Sequence, residues 1–495
     1  MNKKNAYLTF DINKKKSTIN KDIYGHFAEH LGHCIYGGIF VGRDSKIPNE
    51  NGIRKDVIEA LKELNVPVLR WPGGCFADTY KWMDGVGPNR KKILNKTWGD
   101  VCEDNSFGTH EFFELCEKIG CEAYINGNVG SGTPRELSEW LEYMTYDGDS
   151  EFSNMRRVNG KDEPFRLKYL GIGNENWGGG GNMSPSYYAS VYRQFETYAR
   201  SFNKEKTFKI ACGPDSFNYA WTEELMKHLN EYNTDAIALH YYTLPTGNWE
   251  RKGAALNFPD EEYMATIYKT NLMDELIRKH TFIMAKTDPE HKIKLVVDEW
   301  GAWYDVEDGT NAAFLYQQNT MRDAILAAIN LNIFNKHSDM VIMANIAQAV
   351  NVLQAMLICN KDSEELIKTP TYHVFNMYKN HQNAELLSSS IAAPTLSYED
   401  KEFPMISESV SMKDGKIFIT LSNASLDTEI ELLIDGNEMP LNISKASLLN
   451  ADIRAYNDYG DVNKVTPVEF DNYKKTDNKL MVTLPPHSVV SLEIE

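Results

Sequence analysis

Tyr169-Leu-Gly-Ile-Gly-Asn-Glu-Asn-Trp177 is a short apolar run that ends in a glutamate and passes at once into Gly178-Gly-Gly-Gly181. A run too short for a helix and bounded by glycine reads as a buried strand, and a strand that ends in a carboxyl group is a rigid mount for acid–base chemistry. Leu295-Val-Val-Asp-Glu-Trp-Gly-Ala-Trp303 has the same construction, with Glu299 leaving the apolar run. Alone, either glutamate would read as a solvated rim residue, because glutamate is mostly exposed. Two of them, each followed by tryptophan, fit the facing carboxyls of glycosidic bond cleavage. One protonates the departing oxygen, and the other attacks carbon or activates water.

Outward from these stretches, short β-rich runs alternate with longer segments of helical period. The runs are 22–27, 66–71, 121–126, 166–173, 209–213, 236–242, 293–299 and 341–347. Helical period covers, for example, 54–64, 135–144, 222–229 and 314–334, and most clearly 184–202, where Ser184 can cap and Pro185 can open the helix. Eight such units predict an α/β protein built on a (β/α)8 TIM barrel, with its reaction centre at the carboxyl ends of the strands. A doubly wound sheet is the alternative. After about residue 385 the pattern changes to short alternating runs with turn signals at Asp414-Gly415 and Asp435-Gly436. An accessory antiparallel β-sandwich domain is expected there, and the strand-like stretch 6–12 is expected to join it. The predicted domains are a barrel over 20–384 and a sandwich from 1–19 plus 385–495.

Composition bounds the partners. Lys+Arg 52 against Asp+Glu 70 leaves a net charge of −18 over 495 residues, which repels nucleic-acid backbones and anionic membranes alike. Apolar runs long enough to span a bilayer are not found. The first ten residues begin basic but alternate like a strand, so no secretory signal is read, and the seven cysteines lack paired spacing. Reduced thiols in a cytoplasmic protein are expected.

Other motifs have simpler readings. His26-Phe-Ala-Glu29-His30 matches a zinc-peptidase pattern, H-x-x-E-H. That chemistry requires one helix to carry both imidazoles, and the flanking Gly25 and Gly32 argue for a strand end. No metal and no cofactor are therefore expected, and Glu29 reads as a hydrogen-bond acceptor for substrate. The four glycines after Glu175 lack the spacing of a nucleotide cradle. Arg70-Trp-Pro-Gly-Gly-Cys-Phe-Ala-Asp78 supplies a tight turn after the second run, in which Cys75 is a packing or weakly hydrogen-bonding thiol. In His240-Tyr-Tyr242 the histidine reads as buried and structural, and Tyr242 as a donor to Glu299.

Taken together, Gly25-His-Phe-Ala-Glu29, Arg70-Trp-Pro-Gly-Gly74, Asn105-Ser-Phe-Gly108, Gly173-Asn-Glu175, His240-Tyr-Tyr242, Val297-Asp-Glu-Trp-Gly301 and Asn351-Val-Leu-Gln354 resemble, in order, the family 51 α-L-arabinofuranosidases of the retaining-glycosidase clan. The resemblance implies an exo-acting, metal-independent, intracellular enzyme, often a hexamer, that releases terminal α-L-arabinofuranosyl residues from arabinan- or arabinoxylan-derived oligosaccharides. It implies Glu175 as acid/base and Glu299 as nucleophile. Asn174 would bind the sugar 2-hydroxyl, Glu29 and Gln354 other hydroxyls, and Phe27 would pack near the ring. Tyr242 would orient the nucleophile, while Trp98 and Trp303 would border the leaving group. Many members carry Asn where this chain has Cys75. Another glycosidase of the clan, such as a β-xylosidase or endo-glucanase, and a non-catalytic carbohydrate-binding protein are the alternatives.

Overall fold

The computed structural model describes residues 2–437, 439–476 and 478–495. Among these, eight parallel strands close a barrel: Gly25–Phe27, Val68–Trp71, Glu122–Gly127, Leu167–Ile172, Phe208–Ala211, Ala236–Thr243, Lys294–Ala302 and Val341–Ala347. They follow one another in chain order, and the eighth pairs with the first from Asn345↔Gly25 to Ala347↔Phe27. This closure is the expected (β/α)8 fold and excludes the doubly wound alternative. Val68, Tyr124, Tyr169, Ile210, Ala238, Val296 and Met343, from seven of the strands, form one apolar cluster. They plug the barrel on the amino-terminal side of Glu175 and Glu299, so the pocket has a solid floor.

Two expected elements differ from the observed ones. The first run is mostly not strand: Asn20 accepts the Asp22 N–H, Lys21–Tyr24 turns as a 3-10 helix, and only Gly25–Phe27 pairs. The helix expected over 314–334 begins at Met321, because Leu315 takes a left-handed φ of 52° and the Thr320 side chain caps the Arg322 N–H. Every residue from Met321 to Asn335 is buried. A helix sheathed on all sides has no polar face, so its periodicity could not mark where it started. The helix Pro185–Tyr198 is capped by Ser184 as expected, with Tyr188, Tyr192 and Phe195 inward, although Phe202 lies beyond its end and is exposed.

The carboxyl-terminal part forms a ten-stranded sheet among the described residues. Leu8, Ile417, Leu421 and Leu492 meet Ile430, Leu432 and Val482 in one core, so the sheet curls over on itself. The strand Asn2–Thr18 is its central splice, antiparallel to Glu385–Ala392 and parallel to Thr428–Asp435. That one parallel pairing corrects the purely antiparallel expectation. A strand inserted between two neighbours that run in opposite directions can oppose only one of them. Barrel and sheet meet along the buried helix, where Asn335 donates to Ser409 at 3.2 Å, the Thr420 hydroxyl donates to Asn332 at 2.8 Å and Lys336 pairs with Glu408 at 2.7 Å. None of the described helices is long and apolar enough to cross a membrane, and all seven cysteines are free thiols.

Candidate active site

Glu175, three residues beyond the fourth strand, and Glu299, within the carboxyl-terminal half of the seventh strand, converge over the barrel. One oxygen of each, together with a ring nitrogen of His240, lies within a group whose members are all within 4.8 Å of one another. Both oxygens of Glu299 face donors. Arg70 Nη1 donates to Oε1 and the Tyr242 hydroxyl to Oε2, each at 2.9 Å. Donors on both sides hold a carboxylate and aim it. Arg70 is itself fully buried; its Nη2 donates to the Asn174 Oδ1 at 2.6 Å, and Asp298 lies 3.5 Å from its Nε. Burial alone would lower its pKa, but Asp298, Tyr124 and Glu299 raise it, so it is a permanent cation.

Glu175 stands in different surroundings. His240 Nδ1 meets its Oε1 at 2.8 Å and the Cys75 thiol donates to its Oε2 at 3.4 Å. Burial first, and then the charge of Glu299, raise its pKa, against the opposing pull of His240. The histidine also approaches Asp298 at 3.1 Å through Nε2 and Glu299 at 3.6 Å through Nδ1. Although burial opposes it, those carboxylates raise the His240 pKa well above the usual imidazole range. It is therefore not the inert structural histidine expected from its buried strand. Asp298 is held below the ordinary carboxylate range despite burial, chiefly by Arg70 and His240, and it accepts from Tyr124 at 2.7 Å. The Cys75 thiol is pushed up by burial and then by the charge of Glu175, so it acts as a donor. Its Sγ lies 3.9 Å from the Asn174 amide nitrogen.

Glu29 forms a third corner. It accepts from the Phe76 N–H, the Trp98 indole N–H and the Gln348 amide, each at 3.0 Å. Burial and then the charge of Glu299 push its pKa up to about 7, against those donors. Phe27 is buried with its ring 4.7 Å from the Arg70 guanidinium, which keeps it beside the pocket. Trp303 meets Tyr242 edge-on at 4.9 Å and Trp249 at 5.2 Å, and Trp249 is half-exposed.

Gln354 departs from its expected role. It is fully buried, its oxygen accepts the Ala302 N–H at 2.8 Å, and its nitrogen donates to Asp323 O at 2.9 Å and to the Thr371 hydroxyl at 3.2 Å. Both amide hydrogens are spent on protein, so it braces the end of the seventh strand instead of offering a donor to a sugar. Arg70, Asp298, Tyr124 and Gln348 belong to the site although the sequence motifs do not mark them as site residues. Arg70 had a usable signal, since an arginine inside an apolar strand must be paired. Tyr124 and Gln348 had none.

His26 and His30 do not join Glu29 as a metal triad; the group of three close ligands found among the described residues is Glu175, His240 and Glu299. His30 lies stacked on Phe76 at 4.8 Å and on Tyr80 at 5.7 Å. No ring nitrogen of His26 or His30 has a partner among the described residues, and burial pushes each pKa down to about 3. The unfolded chain binds a proton near pH 6.5 that the folded chain refuses, so stability is lost as pH falls from about 6.5 toward 3. Each group contributes about 1.4 kcal/mol per pH unit inside that window. The melting temperature is expected to drop between pH 7.5 and 5.5. His30→Phe, which suits the aromatic surroundings, is expected to flatten that dependence, and an unchanged slope in melting curves would contradict this account.

Sequence models of two parts of one family match the chain: the "Alpha-L-arabinofuranosidase 1 domain" over residues 60–254 and the "Alpha-L-arabinofuranosidase C-terminal domain" over 298–488. The second match begins inside the seventh barrel strand and includes Glu299, so it is not confined to the sheet domain. An "Intracellular exo-alpha-L-arabinofuranosidase" of Bacteroides ovatus is 48% identical over 99% of this chain and 96% of its own. The crystal structure of the GH51 arabinofuranosidase from Xanthomonas axonopodis pv. citri superposes with a TM-score of 0.96 at 43% identity, covering 99% of this chain and all of that one. The α-L-arabinofuranosidase of Thermotoga maritima, solved as an arabinose complex, gives 0.87 at 30% identity over 99% of this chain and 100% of that one. On the strength of a closed barrel with two facing glutamates and of relatives this similar over their whole length, the chain belongs to the family 51 α-L-arabinofuranosidases, a family of glycoside hydrolases.

Proposed function

We propose that the protein is an exo-acting, retaining α-L-arabinofuranosidase that removes terminal α-L-arabinofuranosyl residues from arabinan- or arabinoxylan-derived oligosaccharides. The observation that carries the reading is the approach of Glu175 and Glu299 oxygens within 4.8 Å. Retaining enzymes hold their carboxyls about 5 to 5.5 Å apart, whereas inverting enzymes need about 6.5 to 9.5 Å to admit a water. Glu299, aimed by Arg70 and Tyr242, attacks the anomeric carbon. The bond to the leaving oxygen breaks as Glu175 gives up its proton to that oxygen. Water then attacks the arabinosyl-enzyme, its proton passes to Glu175, and Glu299 is released. Esterifying Glu299 removes the negative charge that helps to keep the Glu175 pKa high, so the same group is an acid in the first step and a base in the second. His240, hydrogen-bonded to Glu175 and within ion-pair distance of Asp298, keeps a proton beside the acid/base.

Asn174, braced by Arg70, is assigned to the sugar 2-hydroxyl, and Glu29, which retains one lone-pair site after its three donors, to another hydroxyl. Phe27 packs beside the ring, Cys75 completes the wall next to Glu175, and Trp98 and Trp303 border the leaving group. The units 20–384 and 1–19 with 385–495 are assigned as the two domains. A cytoplasmic homo-oligomer, a hexamer by family resemblance, that needs no metal or cofactor is the form assigned to the protein.

Proton NMR in the first minutes of hydrolysis is expected to record the α-anomer of arabinofuranose first. A first-formed β-anomer would contradict the double displacement. An aryl glycoside panel separates the other readings: turnover of the α-L-arabinofuranoside but not the β-xyloside is expected, and the reverse would favour the β-xylosidase alternative.

A further inference from the structure

A cavity of about 400 Å³ lies on the carboxyl-terminal side of the barrel, lined by His33, Phe314, Tyr316, Asn351, Ile358 and Tyr459 among others. Two of its wall segments continue segments that build the sugar pocket, and a third packs on one. His33 follows Glu29 by four residues, and Asn351 follows Gln348, the Glu29 partner, by three. Phe314 packs on the residue after Trp98: a Cβ placed on Gly99 would lie 3.2 Å from its ring. The cavity thus lies next to the segments that carry Glu29 and Trp98, on the side where the leaving group is assigned. Its fourth wall comes from the other unit. The segment 451–467 leaves the sheet and lies against the start of the buried helix, where Ile453 O accepts the Arg322 N–H at 3.1 Å and Ala455 O the Met321 N–H at 2.9 Å. Asn457 then anchors the segment to Lys368 O at 2.8 Å, and Tyr459 is presented 41% exposed at the cavity.

Resting on the glycosidase reading, we propose that this cavity is a distal saccharide subsite, in which Phe314, Tyr316 and Tyr459 take a further neutral sugar ring of the substrate chain beyond the cleaved bond. The chemistry suits such a ring. Aromatic faces stack on its C–H surface, and neither the Tyr316 nor the Tyr459 hydroxyl makes a hydrogen bond among the described residues, leaving both for sugar hydroxyls. The cavity has one lysine, Lys361, already paired with Asp362, so no net charge selects an anion. The volume falls within the range of small-ligand sites. The sheet unit would then contribute to substrate selection through a single loop.

The test compares wild type with Tyr459→Ala and Tyr459→Phe on three probes: an aryl α-L-arabinofuranoside, an α-1,5-linked arabinobiose, and longer chains, namely the arabinotetraose and a xylotetraose bearing one arabinofuranosyl branch. For Tyr459→Ala, kcat/KM on at least one longer chain is expected to fall about five- to tenfold through KM, while the aryl glycoside and the biose stay within twofold. Tyr459→Phe, which keeps the stacking face, is expected to retain most of the long-chain activity. Equal losses on all substrates, or unchanged ratios of long to short on both tetrasaccharides, overturn the subsite. Failure of wild type to turn over the aryl arabinofuranoside would instead strike the catalytic reading itself. Because Tyr459 is on a surface loop, misfolding is excluded by an unchanged melting temperature, and Phe314→Ala must reproduce the same long-chain selectivity.

Discussion

Glu299→Ala is expected to abolish turnover of natural and activated substrates alike, with a loss on the order of 10⁴ to 10⁶ in kcat. The reason is geometric. Arg70 and Tyr242 converge on one carboxylate, and no other carboxylate receives that pair of donors. Glu29 is turned toward Phe76, Trp98 and Gln348, and Asp298 toward Tyr124 and Arg70. Neither can move to the anomeric carbon without leaving its donors unpaired, which is costly in a buried site. The variant also leaves the Arg70 cation facing one anion fewer, so its folding should be followed alongside. A measured kcat within a hundredfold of wild type would mean that another group forms the covalent intermediate.

Glu175→Ala is expected to behave differently, and the difference is the information. A poorly activated leaving group needs the proton, so turnover of natural oligosaccharides should fall about 10² to 10⁴-fold, the usual range for a lost general acid. An aryl arabinoside with a good leaving group still esterifies Glu299 and then stalls, because no base activates the water. A burst of phenolate followed by a slow steady state is the expected trace. Azide, which needs no deprotonation, should speed the second step and yield the arabinofuranosyl azide with the configuration of the substrate. If azide instead rescues Glu299→Ala and leaves Glu175→Ala unaffected, the two roles are exchanged.

Much of this architecture could be read along the chain because its physics is local. A strand buried on both faces must be apolar, so the runs ending at Trp71, Ile172 and Ala347 announce themselves, and their alternation with helical period implies crossovers. Glu175 and Glu299 were legible for the same reason, since a carboxyl that ends an apolar run contradicts its surroundings. Turn chemistry was legible too: Asp414 and Gly415 both take positive φ, 52° and 81°, as a tight hairpin requires.

What depends on distant segments was not legible. The start of the helix Met321–Lys336 was misplaced because burial on every side erases its periodicity. Sequence alone determined a barrel, a second β unit and two glutamates closing apolar runs, because each follows from the polarity of a few consecutive residues. Only the tertiary structure decided that Arg70, 229 positions from Glu299, would aim it, that His240 would bond Glu175 instead of lying idle in the core, and that Gln354 would be spent on protein. Those outcomes depend on which segments barrel closure brings side by side, and the energies of buried charges and hydrogen bonds are set by neighbours that the chain order does not name.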